Sequence, residues 1–552
     1  MKIKDNNRLV QLVITSAITV TLIMTPNLNK DSLIIPKVIV IFCLALFLTP
    51  ILIGTIRDSL ENLFIKVLLS LILIWFFYSF LIILNSESPI EQLLFGRTGR
   101  GLGFITFFSV MMLTLAASIF IDTKNLKLLL SALVTAGLIS CVYACIQYFG
   151  LDVFKWDSKT NGIIGTLGNP NSQSSFTAMV LIPTLVYFWH SRYRWISLII
   201  VAPILVFTIY ISQSTQGYIG SSAAILGFTL VYLWYKKRLL FLPLAFSSLL
   251  AGLVAIFGML GHGPLSYYLY KISVQSRGDF WRSAFTTGNS HPVFGVGFDS
   301  FGDYSLKYRD QVAASHSFTE YTDSAHNYYL DYLATGGYIY LLLNIFMTSL
   351  VLVSFFIIQK NLKSFDKNIS ALFCAWLVFQ LQCIINTQSL TLLTWNALIS
   401  GAVIGVAGSF SQKGLSTQVV AGKLKGLKTL NPMSIFMLVI GIIVMFPYFN
   451  TDRQMIQAGN SGNGDLLIKA ATSFPESVDK YSQASRALLE SGLPAPSLAL
   501  ARTAVGFNSK SVSLWALVLI NPSAPLEERV NARDVILKLD PLNIEVRNFK
   551  IQ

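Results

Sequence analysis

The chain has 552 residues, of which 53% are hydrophobic and only 12% are charged. Soluble domains carry about 25% charged residues, so this composition excludes a soluble protein of this length and predicts one that crosses a membrane many times. The net charge of +14 comes from basic residues that lie between apolar spans and do not line one face. This distribution argues against nucleic acid as a partner.

The N-terminus is basic and is followed by an apolar segment, as in a signal peptide. Lys2, Lys4 and Arg8 precede this segment, but no small-residue cleavage site comes before Asn27, and a second apolar span follows at once. We therefore expect an uncleaved first transmembrane helix.

Apolar windows long enough to cross a bilayer recur along residues 1–450. A membrane-spanning helix needs about 20 predominantly apolar residues. The windows that meet this length are 9–26, 33–54, 64–84, 102–121, 127–150, 172–190, 195–212, 217–235, 239–261, 337–358, 370–388, 390–410 and 433–450. They predict an all-α polytopic membrane domain over residues 1–450, with about 12–13 transmembrane helices.

The basic residues in the short turns predict the orientation of these helices. If the N-terminus is cytoplasmic, the turns after even-numbered spans are cytoplasmic too, and cations concentrate on that side. These turns carry Arg57, Lys124, Lys127, Arg192, Arg194, Lys236, Lys237, Arg238, Lys360, Lys363, Lys367, Lys413, Lys423, Lys425 and Lys428, whereas the opposite short loops carry Lys30, Arg97, Arg100, Lys155 and Lys159. We therefore expect a multi-pass protein of the cytoplasmic membrane, embedded in the lipid bilayer, with an extracytoplasmic loop at residues 262–325 and an extracytoplasmic C-terminal segment.

The loop at residues 262–325 is polar and separates the ninth predicted span from the tenth. Loops of about 60 residues are usually functional or disordered. This one contains Arg277, Arg282, Arg309 and three of the five histidines, and His326 follows it directly. It is therefore the part of the chain where we expect function to reside.

Residues 451–552 have a different, polar and Ala-rich composition and contain a recurrence. The segment 471–475 (ATSFP) is echoed by 504–508 (AVGFN) and by 537–541 (LKLDP), in steps of 33 residues. Helices that end in such turns are typical of helix-pair repeats. The pattern predicts a small α-helical domain that resembles degenerate tetratricopeptide repeats, with an unrelated helical bundle as the alternative. We expect this domain to make protein or glycan contacts, or to brace the membrane domain, and not to catalyse.

Several common kinds of site are missing from the sequence. There is no P-loop, which disfavours an ATPase, and the glycines of residues 99–103 (GRGLG) follow no soluble strand that would predict a dinucleotide site. The acidic residues of the loop include no close pair suited to a metal ion. The five cysteines lie within apolar spans, where we interpret them as packing residues. We therefore predict neither a cofactor nor a bound metal.

The first motif with useful chemistry lies in the loop. Residues 276–282 (SRGDFWR) are followed by a glycine turn at residues 292–298 (PVFGVGF). The planar guanidinium of Arg277 suits phosphate oxygens, and the ring of Trp281 can stack on a sugar. Taken alone, an arginine in a loop is more often solvated or ion-paired.

Two further motifs flank the loop. Residues 325–329 (AHNYY) predict His326 on the first turn of a helix, where an imidazole can take a proton from a hydroxyl or bind a phosphate. Residues 165–171 (GTLGNPN) predict a rigid turn in which Asn171 caps the sixth span. Each has a structural explanation when taken alone, but together, and facing one compartment, they indicate a site.

The order of these motifs resembles that of the O-antigen ligase family. The last element of the family pattern, H-N-x9-G-x-x-Y, is matched by His326, Asn327, Gly337 and Tyr340. The resemblance covers residues 60–410 and is strongest over 160–345. It implies a GT-C-like membrane fold and a metal-independent, inverting transfer. The donor would be a polyprenyl-diphosphate-linked glycan, and the acceptor a hydroxyl of a glycan, lipid or protein.

The resemblance also implies roles for individual residues. Arg277 would bind the donor diphosphate, and His326 would act on the acceptor hydroxyl or assist the diphosphate, so we expect the loop to bring these two residues together. The substrate-binding neighbours would be Arg282, Asn327, Arg100, Trp281 and Gly337.

One position departs from the family pattern. Where the family often has Ser-Arg-Gly, residues 214–217 are STQG, and the side chain of Gln216 supplies no positive charge. Three explanations follow: Arg97 or Arg100 compensates, the diphosphate site is altered, or the protein has drifted from catalysis.

Other functions stay open at this point. A polysaccharide polymerase or a protein O-oligosaccharyltransferase of the same superfamily would share the donor half of the site, and the repeat-like tail mildly favours a protein or large-glycan acceptor. A transporter of envelope glycans would show inverted repeats or interrupted helices, and the chain shows no such symmetry. A non-catalytic scaffold would not need Arg277 or His326.

Overall fold

The computed structural model describes residues 2–154, 156, 162–189, 191–192, 194–316, 321–362, 364–411 and 431–551. Of the cations that predicted the orientation, Lys155, Lys159, Lys363, Lys413, Lys423, Lys425 and Lys428 lie outside these residues. Within the described ranges the regular structure is α-helical, apart from a 3-10 turn at Gly165–Leu167. The predicted all-α fold class is confirmed.

The predicted membrane spans all coincide with helices. The helices up to residue 461 are α1 Lys2–Leu22, α2 Ile35–Ser59, α3 Leu63–Asn85, α4 Ile90–Phe95, α5 Phe104–Phe120, α6 Leu126–Tyr148, α7 Pro170–Trp189, α8 Arg194–Ile211, α9 Thr215–Lys236, α10 Arg238–Met259, α11 Ser266–Leu269, α12 Ile272–Ser290, α13 Phe301–Ser305, α14 Gln311–His316, α15 Tyr328–Asn361, α16 Lys367–Ile385, α17 Leu390–Ser411 and α18 Pro432–Ser461. Helices α4 and α11–α14 lie between the apolar spans. The other helices match the predicted windows one to one.

Most of the helices that match a predicted window can cross a membrane by length and composition. In the described ranges, nine qualify: α2, α3, α6, α9, α10, α15, α16, α17 and α18. Shorter apolar stretches occur in α1, α5 and α8. Helix α7 is less apolar because it begins with the polar run 172–175 (SQSS), whose side chains are all buried inside the protein. The chain is therefore a polytopic membrane protein.

Helix α17 lies at the centre of the bundle, with buried side chains on nearly every face. Its closest neighbour is α5, and two glycines permit the contact. A Cβ atom at Gly401 would overlap the carbonyl oxygen of Thr114, and one at Gly405 would overlap that of Ser118. Paired small residues of this spacing let helix backbones approach closely in a membrane.

Gly405→Leu should therefore destabilise the bundle, because the new side chain meets the backbone of α5 and cannot move aside. Overpacking of this kind costs about 1–3 kcal/mol or more. The measurement is thermal unfolding of the purified protein in detergent. The matched control is Gly54→Leu on α2, where a Cβ meets nothing within 4 Å. Equal melting temperatures for the two variants would contradict the close α5–α17 contact.

Helix α15 is interrupted by Gly336 and Gly337, which have non-helical backbone angles. The glycine turn of the loop fits against this break. The amide of Tyr338 donates to the carbonyl of Pro292 at 2.9 Å, and the amide of Gly297 donates to that of Thr335 at 2.9 Å. The glycine turn of the loop and the glycine break of α15 are therefore in contact, and this contact fixes the loop to one end of the bundle. We call this end the loop side.

The predicted polar loop is folded. Its helices α12 and α13 and the start of α15 enclose a small apolar cluster formed by Ala284, Phe301, Ala325 and Ala334. Residues 317–320 of this loop lie outside the described ranges. The cluster gives α12 a defined position above the bundle, and α12 carries Arg277.

The C-terminal segment, residues 451–551, contains α19 Gly464–Ala471, α20 Val478–Glu490, α21 Pro494–Phe507, α22 Val512–Ile520, α23 Leu526–Leu539 and α24 Ile544–Arg547. These helices share an apolar core that includes Tyr481, Ala484, Leu488, Ala501, Leu514 and Ile536. The three echoed turns lie at the C-terminal ends of α19, α21 and α23. Helix α18 runs without a break from the last apolar window into this segment.

Candidate functional site

Arg277 lies on α12, where its guanidinium group is partly buried against the end of α16. Its Nε donates to the carbonyl of Ile385 at 3.0 Å, and its Nη1 donates to that of Ser273 at 2.7 Å. Within the described part of the chain, no carboxylate forms an ion pair with it. Burial lowers the pKa of Arg277, but a guanidinium stays protonated in proteins. Arg277 therefore carries a positive charge that no acidic side chain neutralises.

His326 lies within electrostatic reach of this charge. Its ring stacks on Phe280, with 5.6 Å between the ring centroids and 26° between the ring planes. Phe280 is one helical turn from Arg277 on α12, so one face of that helix presents both groups. Burial, and next the charge of Arg277, lower the pKa of His326 to about 4, although Asp323 opposes the shift. The imidazole is therefore neutral at neutral pH.

The backbone at His326 has an unusual conformation. The prediction that this residue lies on the first turn of a helix is wrong: α15 begins at Tyr328, and His326 precedes the cap residue Asn327. Its φ angle is 53°, in the left-handed region, which non-glycine residues adopt mainly where the surroundings compel it. The amide of His326 donates to Ser324 Oγ at 3.0 Å. The imidazole Nδ1 is buried without a hydrogen-bond partner and can interact with a substrate.

Asn327 has a structural task. Its Oδ1 accepts hydrogen bonds from the amides of Tyr329 at 3.0 Å and Leu330 at 3.2 Å. This is an N-cap, which satisfies amides that a helix start leaves without partners. Gly337, another residue singled out by the family pattern, lies at the break in α15. Asn327 therefore shapes the backbone next to His326, whereas Gly337 permits the break in α15.

The other cations of the pattern are ion-paired. Arg282 pairs with Asp279 at 2.6 Å and with Asp310 at 2.5 Å, and its side chain is 46% exposed. Arg100 pairs with Asp299 at 2.8 Å and with Asp323 at 3.2 Å. Two carboxylates therefore neutralise each of these arginines.

Arg97 is paired as well, through its guanidinium group and Asp303. Neither Arg97 nor Arg100 supplies an unpaired charge in the place of the arginine that the family pattern expects at residue 216. Trp281, on α12 beside Phe280, has an indole Nε1 that is buried without a hydrogen-bond partner.

The GNPN turn is joined to the STQG turn. Asn169, and not the predicted Asn171, caps α7, since its Oδ1 accepts from the amides of Asn171 at 2.8 Å and Ser172 at 3.4 Å. The correction has a local reason: α7 starts at Pro170, so Asn171 is already inside the helix. The Oδ1 of Asn171 instead accepts from the hydroxyl of Ser214 at 2.7 Å, and Ser214 caps α9.

Gln216 is 3% exposed and lies between α7 and α16. Its Oε1 accepts from Ser175 Oγ at 3.3 Å, and its backbone carbonyl accepts from Gln382 Nε2 at 3.4 Å. Its Nε2 is buried without a hydrogen-bond partner. A neutral amide therefore occupies the position of the expected cation, and the end of α16 connects it to Arg277 through Ile385.

Sequence reasoning missed three contributors to this region. Phe280 supplies the surface under the imidazole, and the carbonyl of Ile385 positions Arg277. Lys37 is buried near the start of α2, where its Nζ donates to the carbonyl of Thr166 at 2.7 Å and anchors the turn before α7. The polar run 386–389 (NTQS) between two apolar spans could have indicated from the sequence that the end of α16 contributes to the site.

The residues that come together are thus Arg277, Phe280 and His326, flanked by Asp323 and by the end of α16. Among the described residues, no group of three His, Cys, Asp or Glu side chains is placed to hold a metal ion. This arrangement can bind an anion at the guanidinium and accept a proton or hydrogen bond at the neutral imidazole.

The fold and this geometry define a class: a polytopic membrane protein with a partly buried arginine–histidine site on its loop side. Residues 201–345 match the family described as O-antigen ligase. The match runs from α8 into α15 and includes Gln216, Arg277 and His326. No curated protein matches the chain. Residues 201–345 are therefore similar to the O-antigen ligase family, and this similarity supports a function in glycan transfer or ligation at a membrane.

Proposed function

We propose that the protein transfers a glycan from a polyprenyl-diphosphate carrier to a hydroxyl acceptor, as a GT-C-type glycosyltransferase with Arg277 and His326 as its catalytic residues. The observation that carries the proposal is the contact between α12 and the start of α15. An unneutralised guanidinium and a neutral imidazole lie side by side there, within the segment that matches the family.

On the donor side, negative charge develops on the diphosphate as it leaves the anomeric carbon. A fixed positive charge in a site that is partly shielded from water stabilises that change most effectively. The backbone carbonyls of Ile385 and Ser273 hold the guanidinium of Arg277 in place. Since they carry no full charge, they leave its attraction for phosphate oxygens largely intact.

On the acceptor side, a hydroxyl oxygen attacks the anomeric carbon from the face opposite the diphosphate. The new carbon–oxygen bond forms as the bond to the diphosphate breaks, and the leaving group departs with that electron pair. The hydroxyl proton moves to the ring of His326, whose low pKa keeps it neutral and ready to accept. The configuration at the anomeric carbon is inverted, and no metal ion is needed to balance the step.

The lipid of the donor needs an apolar site next to this chemistry. A cavity lies inside the bundle, between α3, α5, α15, α16 and α17. Its lining includes Tyr328 and Tyr329, which follow His326 by two and three residues in the sequence, and Cys383 near the end of α16. We assign this cavity to the first isoprene units of the carrier.

The same proposal includes the location. The site faces the extracytoplasmic side of the cytoplasmic membrane, and the N-terminus is cytoplasmic, in agreement with the charges of the short turns. The acceptor is a glycan, a lipid or a protein, so the activity is that of a ligase, a polymerase or a protein O-oligosaccharyltransferase.

The test is glycan transfer by the purified protein in proteoliposomes supplied with a polyprenyl-diphosphate oligosaccharide. Separate reactions contain a lipid-linked glycan, a lipid-core oligosaccharide or a protein acceptor, and the release of polyprenyl diphosphate is measured in each. We expect release together with transfer to one acceptor. Movement of the donor across the bilayer without release would instead identify a transporter.

A further inference from the structure

The C-terminal segment contacts the same loop that carries the site. Arg309 of the loop forms a two-point ion pair with Asp540, with Nε to Oδ1 and Nη2 to Oδ2 both at 3.0 Å. The two side chains are only 6% and 1% exposed. A second contact joins Asn508, whose Nδ2 donates to Asp303 Oδ2 at 3.2 Å. Two echoed turns of the repeat-like pattern therefore each contribute one polar side chain to the loop.

These contacts differ from ordinary surface ion pairs. A solvent-exposed pair such as Lys510 with Glu87, 2.6 Å apart, contributes little because water screens it. A pair as buried as Arg309 and Asp540 is tolerated only when both charges are held in a good geometry, and losing one partner leaves a charge uncompensated. The interface therefore fixes the position of the loop relative to the C-terminal segment.

Asp303 is the meeting point of three structural parts. It accepts hydrogen bonds from Asn508 of the C-terminal segment, from Gln92 Nε2 on α4 at 2.9 Å, and from the guanidinium of Arg97. Since Arg97 lies in the turn between α4 and α5, this carboxylate ties the membrane domain, the loop and the C-terminal segment together.

The turn between α4 and α5 is also connected to His326, the proposed catalytic histidine. The amide of Arg100 donates to the carbonyl of Arg97 at 3.1 Å, and the side chain of Arg100 pairs with Asp323 at 3.2 Å. Although burial alone would raise it, the charges of Arg100 and Arg97 hold the pKa of Asp323 below its ordinary value. Asp323 is thus an anion, three residues before His326 and within electrostatic reach of its ring.

We propose that the C-terminal segment is a positioning element of the transferase site, with Asn508 and Asp540 as its positioning residues. It holds the loop, and through Asp303 and the two arginines it holds Asp323 beside His326. This inference rests on the proposed function for its catalytic part. Its structural part, that the segment immobilises the loop, stands independently of any activity.

The structural part is tested by hydrogen exchange of the full-length protein in lipid nanodiscs. Arg309→Asp places two carboxylates together, so we expect amide exchange in residues 301–316 to accelerate by about tenfold or more. The swapped pair, Arg309→Asp with Asp540→Arg, should restore slow exchange. Asn508→Ala removes the hydrogen bond to Asp303 and a local one from the amide of Lys510. It should give a smaller acceleration in the same residues, and it provides the test if the charge variants do not fold. Unchanged exchange in Asn508→Ala and in every variant that folds would overturn the proposal.

The catalytic part is tested by the kinetics of the same variants. A misplaced catalytic group can lower the rate by about 100-fold, so we expect kcat to fall in Arg309→Asp, with the acceptor KM little changed, and to recover in the swapped pair. A rise in acceptor KM alone would identify an acceptor-docking module and overturn the positioning role, as would faster exchange with normal kcat. If the wild-type protein transfers no glycan, the proposed function fails, and the exchange experiment still decides whether the segment holds the loop.

Discussion

Arg277→Ala should lower kcat for glycan transfer by about 100- to 1,000-fold, the usual loss when one fixed group that stabilises a developing negative charge is removed. The reason is that, among the described residues, no acidic side chain pairs with the guanidinium and no second unpaired arginine lies near it. The measurement is the rate of polyprenyl diphosphate release in proteoliposomes at saturating donor.

The matched control is Arg533→Ala on α23. That guanidinium lies in the C-terminal segment, outside the site, and pairs with the neighbouring Asp534 at 3.4 Å. Arg277→Lys should recover part of the loss, because it restores the charge without the planar fork. Activity equal to the wild type in Arg277→Ala, at normal protein levels, would remove Arg277 from the mechanism and favour a scaffold.

His326→Ala should lower kcat by about 100- to 10,000-fold, the range for a side chain that takes a proton in the transition state. The neutral, partner-free Nδ1 is the group that is lost. His262→Ala is the matched control, since His262 is an exposed histidine of the same loop. If both variants keep full activity, the acceptor hydroxyl is deprotonated elsewhere.

The pH dependence of kcat/KM provides a second measurement on His326. Since burial and Arg277 lower the pKa of this residue to about 4, the base form predominates above that value and is lost as the pH falls through it. We therefore expect no contribution from His326 to the pH profile between about pH 6 and pH 8, and a loss of activity on the acidic side. Arg277→Ala removes a positive charge next to the ring, so the acidic limb of its residual activity should move to higher pH.

The neutral side chain of Gln216 distinguishes this site from the family pattern, which often has an arginine at this position. Of the three explanations for the missing charge, compensation by Arg97 or Arg100 is disfavoured because carboxylates pair with both. The buried amide instead binds α7 and α16. We propose that Arg277 supplies the positive charge for the donor diphosphate without an arginine at residue 216.

The sequence was sufficient for the membrane spans, and it also singled out Arg277 and His326 as candidate site residues. Apolar windows predict helices reliably because a bilayer forces every backbone amide to be satisfied within its own segment. Arg277 and His326 were conspicuous in the sequence because both lie at a polar loop between apolar spans. Arginine is permanently charged, and histidine ordinarily titrates near neutral pH. Their roles came from the motif order, which the family match at residues 201–345 supports.

Local backbone details were predicted less well, for a physical reason that recurs. The N-cap of α7 moved from Asn171 to Asn169, and His326 moved out of α15, because a helix start is set by which side chain can reach the first free amides. Composition does not contain that information. The break at Gly336 and Gly337 likewise depends on the glycine turn that packs into it.

What the sequence by itself determined is a membrane-embedded helical bundle with a polar loop that carries a candidate arginine and histidine. The tertiary structure decided which charges are available: it neutralised Arg97, Arg100 and Arg282 with nearby carboxylates and left Arg277 unpaired beside a neutral His326. It also joined the C-terminal segment to the loop through Arg309 and Asp540. These outcomes depend on pairs of side chains that are far apart in the chain, and only folding brings such charges close enough to pair or to shift each other's pKa.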